Sequence, residues 1–113
     1  MQNKEKNIIY HRKGISVFFV EFEKQLLLKI INNSNLNVLD DFDKGNVSTI
    51  INRINSQNKP LFSSRERYVL ELLITRYKDG DFTNKEKFYY RRLKEKIIGK
   101  YVSFSNGRSY EEV

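Results

Sequence analysis

The chain has no cysteine and no tryptophan, and its 113 residues include one histidine, one methionine and one proline. Each absence closes off a class of chemistry. Without cysteine there are no disulfides, no thiolate metal ligands and no thiol nucleophile. A single histidine, His11, cannot build a His-based metal triad. No glycine-rich stretch forms a phosphate cradle. No apolar run approaches the roughly 18 residues of a membrane span, and "MQNKEKNIIYHRKG" lacks the apolar core and small-residue cleavage site of a signal peptide. The aspartates of "DDFDKGN" would make a poor EF-hand, because Phe42 and Lys44 stand where oxygen ligands are needed. The expectation is a soluble, cytoplasmic protein that is not an enzyme, with no catalytic residues, no metal and no cofactor.

What the chain does have is apolar content and positive charge. With 39% hydrophobic and 31% charged residues, residues 1–113 are expected to form a single domain with one modest core, frayed over residues 1–7. The net charge of +7 is unevenly placed. Residues 1–43 hold six basic and six acidic side chains, whereas residues 44–113 hold fifteen basic and eight acidic. A positive field concentrated in this way attracts polyanions through counterion release, so nucleic acid is the first partner to consider. The competing reading is an ordinary solvated lysine-rich surface.

The pattern along the chain is mainly helical. "IIYHRKGISVFFVEF" admits two readings, a pair of strands around Lys13-Gly14 or a helix beginning at Ser16. The recurrence of Ile15, Phe18, Phe19, Phe22, Leu26 and Ile30 at three- and four-residue steps predicts a helix over 16–32. The Asn- and Asp-rich stretch that follows reads as a loop with one short turn. Asn46 is the expected N-cap of a helix that stops before Pro60, and Ser63 or Ser64 caps the next, whose wide apolar arc marks it as the most buried. "TNKE" is a capping box that opens a helix from Thr83 to about Ile98, stopped by Gly99. "YVSFSNGRSYEEV" changes to period two around Asn106-Gly107 and reads as a terminal β-hairpin.

The expected class is therefore mainly α with a small β-hairpin, an α+β domain. Helices followed by a hairpin resemble the winged helix-turn-helix superfamily of DNA-binding domains. "NVSTIINRINSQNKPLF" resembles the recognition helix of regulators of the multiple-antibiotic-resistance type, and "SSRERYVLELL" resembles the first helix of the response-regulator type. The resemblance implies a winged-helix DNA-binding regulator or accessory replication factor, with the hairpin as the wing.

The residues themselves offer two candidate faces. Ser48, Thr49, Asn52 and Arg53 share the polar side of the middle helix, a strip suited to the major groove. On the last helix, Lys85, Arg92 and Lys96 line one edge of an apolar stripe containing Tyr89, Tyr90, Leu93 and Ile97, while Lys87, Arg91 and Lys94 line the other. Two basic rails beside tyrosines suit a phosphate backbone. Lys100 and Arg108 would add phosphate contacts if the hairpin is a wing, although Glu111 and Glu112 would then have to face away. DNA is favoured over RNA as the partner, no membrane is involved, and "VFFVEF" is a possible homodimer surface. A protein partner, such as the host target of a phage- or mobile-element-encoded inhibitor, and an RNA or ribosome partner stay open, because both use the same positive surface.

Overall fold

The computed structural model describes residues 13–99. The expected terminal hairpin, the frayed N-terminus and His11, Lys100 and Arg108 lie outside the described residues. In chain order the elements are a short strand β1 (Ile15–Ser16), helix α1 (Glu21–Asn33), a 3₁₀ turn (Leu36–Val38), helix α2 (Asp41–Ser56), strand β2 (Leu61–Phe62), helix α3 (Ser64–Arg76) and helix α4 (Asn84–Ile97). The fold is mainly helical with a small two-stranded antiparallel sheet, an α+β fold. The helices α1, α3 and α4 pack on one another, while α2 packs on α3.

The first strand corrects the expected helix over 16–32. Burial alternates from Ser16 to Phe19, with Val17 and Phe19 buried and Ser16 and Phe18 exposed, which is the period of an extended chain. Ile15 pairs with Phe62 and Ser16 with Leu61, and the Val17 amide donates to the Pro60 carbonyl at 3.0 Å. β-Branched and aromatic side chains suit this pleated geometry. The helical spacing of Phe22, Leu26 and Ile30 takes over only where Glu23 closes the helix start, its carboxylate accepting from the Val20 amide at 3.0 Å. Of the aromatic stretch, Val17 and Phe19 belong to the core, Phe22 is half-buried and Phe18 remains exposed.

The second correction lengthens α2. Its N-cap is Asp40 rather than Asn46, with the Asp40 carboxylate accepting from the Asp43 amide at 2.8 Å. Asp41 and Asp43 in the first turn favour the positive end of the helix dipole. Asp43 extends the buried face of Val47, Ile50 and Ile54 by one turn, so "DFDKGN" is helix rather than loop, with Gly45 carried inside it. The remaining boundaries follow the expectation. α2 ends before Pro60, Ser63 and Thr83 each form a capping box with Glu66 and Glu86, and α4 gives way at Gly99, whose φ of 114° favours glycine.

The core draws on all four helices and on strand β2. Leu27, Ile30, Ile54, Phe62, Val69, Leu70, Ile74, Leu93 and Ile97 are fully enclosed. Tyr90 is buried with its hydroxyl donating to the Ile74 carbonyl at 2.5 Å, and burial together with the charge of Asp79 raises its pKa. Arg67 fastens the two ends of the described chain, donating to the carbonyl of Ile97 at 2.8 Å and to that of Lys13 at 3.1 Å.

Two glycines separate contact from propensity. A Cβ on Gly14 would stand 2.4 Å from the Phe62 carbonyl oxygen, whereas a Cβ on Gly45 meets nothing within 4 Å. Gly14→Ala is therefore expected to lower stability by about 1–3 kcal/mol through overpacking against backbone. Gly45→Ala is expected to raise stability by about 0.5–1 kcal/mol through helix propensity. Urea denaturation of the two variants beside the wild type checks both signs.

Candidate nucleic-acid interface

The two faces marked in the sequence are carried by different helices, both leaning on α3. On α2, Ser48, Thr49 and Asn52 are exposed, and with Ile51 and Asn55 they line one open depression. Arg53 does not project with them. Its guanidinium pairs with the buried carboxylate of Glu66 and donates to the Leu61 carbonyl at 3.2 Å. A base contact by Arg53 would require giving up that pair.

On α4 the two rails have different fates. Arg92 and Lys96 converge on Glu23, which is fully buried, at 2.7 and 2.5 Å. Lys96 also donates to the Phe18 carbonyl at 2.9 Å. Burial alone would raise the Glu23 pKa, but the hydrogen bonds from Lys96, Arg92 and the Val20 amide outweigh it and hold the carboxyl below its ordinary value. The same pair raises the Arg92 pKa. The Arg92 side chain is still 42% exposed, so it is anchored without being hidden. Lys85 is exposed and lies over the Phe22 ring at 4.5 Å, and Lys94 lies over Tyr90 at 4.5 Å. Lys87 and Arg91 are exposed.

One residue on this face was not singled out by the sequence pattern. Phe88 is 52% exposed and falls outside the stripe of Tyr90, Leu93 and Ile97. Lys85, Arg91 and Arg92 stand three or four residues from it, so they are its neighbours on the helix surface. Tyr89 meets the Phe88 ring edge-on at 5.1 Å and packs on Phe22 at 4.7 Å, while the Arg92 guanidinium lies 6.0 Å from the Phe88 centroid. The available signal was a phenylalanine out of phase with its own helix's apolar period.

Two of the aspartates of "DDFDKGN" and the capping acid Glu86 have structural partners. Asp43 is buried and receives both Nε and a terminal nitrogen of Arg65, at 2.8 and 3.1 Å, and Asp40 receives the same nitrogen at 3.2 Å. Glu86 pairs with Lys29 at 2.9 Å, which lowers the carboxyl pKa and raises that of the lysine. Among the described residues no group of three or more His, Cys, Asp or Glu is placed to hold a metal ion. No helix among them is long and apolar enough to cross a membrane. Comparison with protein-family models, curated proteins and solved structures finds no match.

The Glu23 cluster generates a pH prediction. Because its folded pKa is depressed, the stabilisation is fully present above the unfolded carboxyl value of about 4.3 and is lost as pH falls through the folded value. Glu23→Gln is expected to cost about 1–3 kcal/mol at pH 7, at the lower end because Arg92 and Lys96 are partly exposed and can rehydrate. The variant should also lose less stability than the wild type between pH 5 and pH 3. Urea midpoints measured across that range check the slope, and parallel curves would remove Glu23 as its source.

Proposed function

We propose that the protein is a small nucleic-acid-binding module that meets its partner through the outward face of α4. The observation that carries this reading is what remains at the surface after the internal ion pairs are formed. Lys85, Lys87 and Arg91 are exposed along α4, with Arg92 and Lys94 partly exposed beside them. Three of these five, Lys85, Arg91 and Arg92, stand three or four residues from an exposed or half-exposed aromatic ring, Phe88 or Tyr89. Cations placed at three- and four-residue steps along a helix neutralise successive phosphates, and arginine adds bidentate geometry.

DNA is placed ahead of RNA on the resemblance of α2 and α3 to winged-helix DNA binders, which makes a regulator or an accessory replication factor the working role. In that reading Ser48, Thr49 and Asn52 on α2 supply uncharged contacts, and the cations of α4 supply affinity. The protein then acts by binding rather than by catalysis.

The test is to replace cations that have no part in the Glu23 cluster. Lys87→Ala combined with Arg91→Ala is expected to weaken binding to all sequences alike and to shallow the salt dependence on duplex DNA by about 0.9 for each phosphate that is no longer neutralised. Thermal stability should stay within about 0.5 kcal/mol of the wild type. Fluorescence anisotropy at several salt concentrations, with circular dichroism as the control on folding, provides the measurement. Equal affinity and an equal salt slope in the double variant would remove α4 as the contact face.

A further inference from the structure

Five large apolar side chains are exposed among the described residues: Phe18, Val38, Phe42, Leu61 and Phe88. A single exposed apolar side chain is ordinary, so what distinguishes them is the charge around each. Phe42 lies near the guanidinium of Arg65, but Asp40, Asp41 and Asp43 stand beside it in the same turn, and their charge repels phosphate. Phe18 lies 6.0 Å from the ammonium of Lys96, which is already held by the Phe18 carbonyl and Glu23. Phe88 alone sits on an exposed helix face among Lys85, Arg91 and Arg92, and the acid on that face, Glu95, stands two turns from the ring and one turn from Arg91 and Arg92.

We infer that Phe88 is a stacking platform for a base of single-stranded DNA, with Lys85 and Arg91 holding the phosphates on either side and Arg92, tied to Glu23, fixed beside the ring. This inference rests on the nucleic-acid reading of the α4 face and specifies the form of the partner. In a duplex the bases are already stacked on one another and their faces are closed, so an exposed aromatic ring on a convex helix surface has nothing to stack on. A single strand offers an open π-face at every base and phosphates that can reach cations three and four residues away on the helix.

The ring is held ready for this role. Tyr89 meets Phe88 at 89° and is itself packed on Phe22, so the three rings form a supported series. Arg92 cannot swing away from Phe88 without leaving Glu23, which fixes a cation beside the ring before any strand arrives. The face consists mainly of cations and one ring, groups that serve phosphates and bases, and DNA stands before RNA here on the reading proposed above.

The experiment compares labelled oligo-dT, oligo-U and a mixed-sequence duplex, each titrated with the wild type, Phe88→Ala and Phe88→Trp at low and moderate salt. The expected result is tighter binding of oligo-dT than of the other two, a ten- to hundredfold loss with Phe88→Ala on oligo-dT, and retention with Phe88→Trp. Salt-dependent binding in which the duplex is preferred, or in which Phe88→Ala binds oligo-dT as the wild type does, overturns the inference and leaves the nucleic-acid reading standing. Tighter binding of oligo-U overturns the assignment to DNA. Binding to none of the three at low salt overturns both readings.

Discussion

Among the described residues the third residue of every α-helix is an acid, and each of these acids takes a cation from another helix. Glu23 of α1 receives Arg92 and Lys96 of α4, and Glu86 of α4 receives Lys29 of α1. Asp43 of α2 receives Arg65 of α3, and Glu66 of α3 receives Arg53 of α2. The exchange is reciprocal within each pair of helices. In three of the four cases the same carboxylate also caps its own helix, accepting from the backbone amide of Val20, Ser63 or Thr83. A helix start leaves amides unsatisfied and carries positive partial charge, so an acid is stable there even when buried. Once there, it is a fixed negative point to which a distant cation can be tied. Helix initiation and helix packing are thereby settled by the same residues, and among the described residues no buried side-chain polar atom is left without a hydrogen-bond partner.

This arrangement divides the basic residues of the chain into two groups with different work. Arg53, Arg65, Arg92 and Lys96 are tied to buried acids and hold the fold, whereas Lys85, Lys87 and Arg91 stand at the surface without a buried acid beside them. Positive charge counted along a sequence mixes the two. Removing a member of the first group leaves a buried carboxylate short of a partner, so weaker binding in such a variant reports on folding as much as on recognition. The second group can be changed with little structural consequence, and it is there that a functional role can be read cleanly.

Much of the helical framework was legible from local chemistry. The Thr83 capping box, the stop at Pro60, the broad buried face of α3 and the end of α4 at Gly99 all depend on neighbours within a few residues. The failures involved residues distant in sequence. Ile15 and Ser16 are extended because Leu61 and Phe62 lie beside them, and Asp43 joins a helix whose N-terminus is stabilised from α3 by Arg65. The candidate cations show the same limit. A helical wheel placed Arg92 and Lys96 on the edge of the apolar stripe correctly, but nothing local reveals that Glu23 occupies the space between that edge and α1. Phe88 was visible as an exception to the period of its helix, and its significance emerges only with the exposure of the ring and the three cations around it.

The tie between Glu23 and α4 also has a consequence in time. Its two cations lie 69 and 73 residues further along the chain. At synthesis rates of about 5–20 residues per second, Glu23 is made roughly 4–15 seconds before either partner exists. During that interval its carboxylate can serve the start of α1, through the Val20 amide, but it cannot yet draw α4 onto the seam. The buried faces of α1 and α3 that α4 will cover stay open to water until the last described helix has been made. The nascent chain therefore passes through a stage in which its helices can already be capped and its core is still incomplete, and the arrival of Arg92 and Lys96 ends that stage.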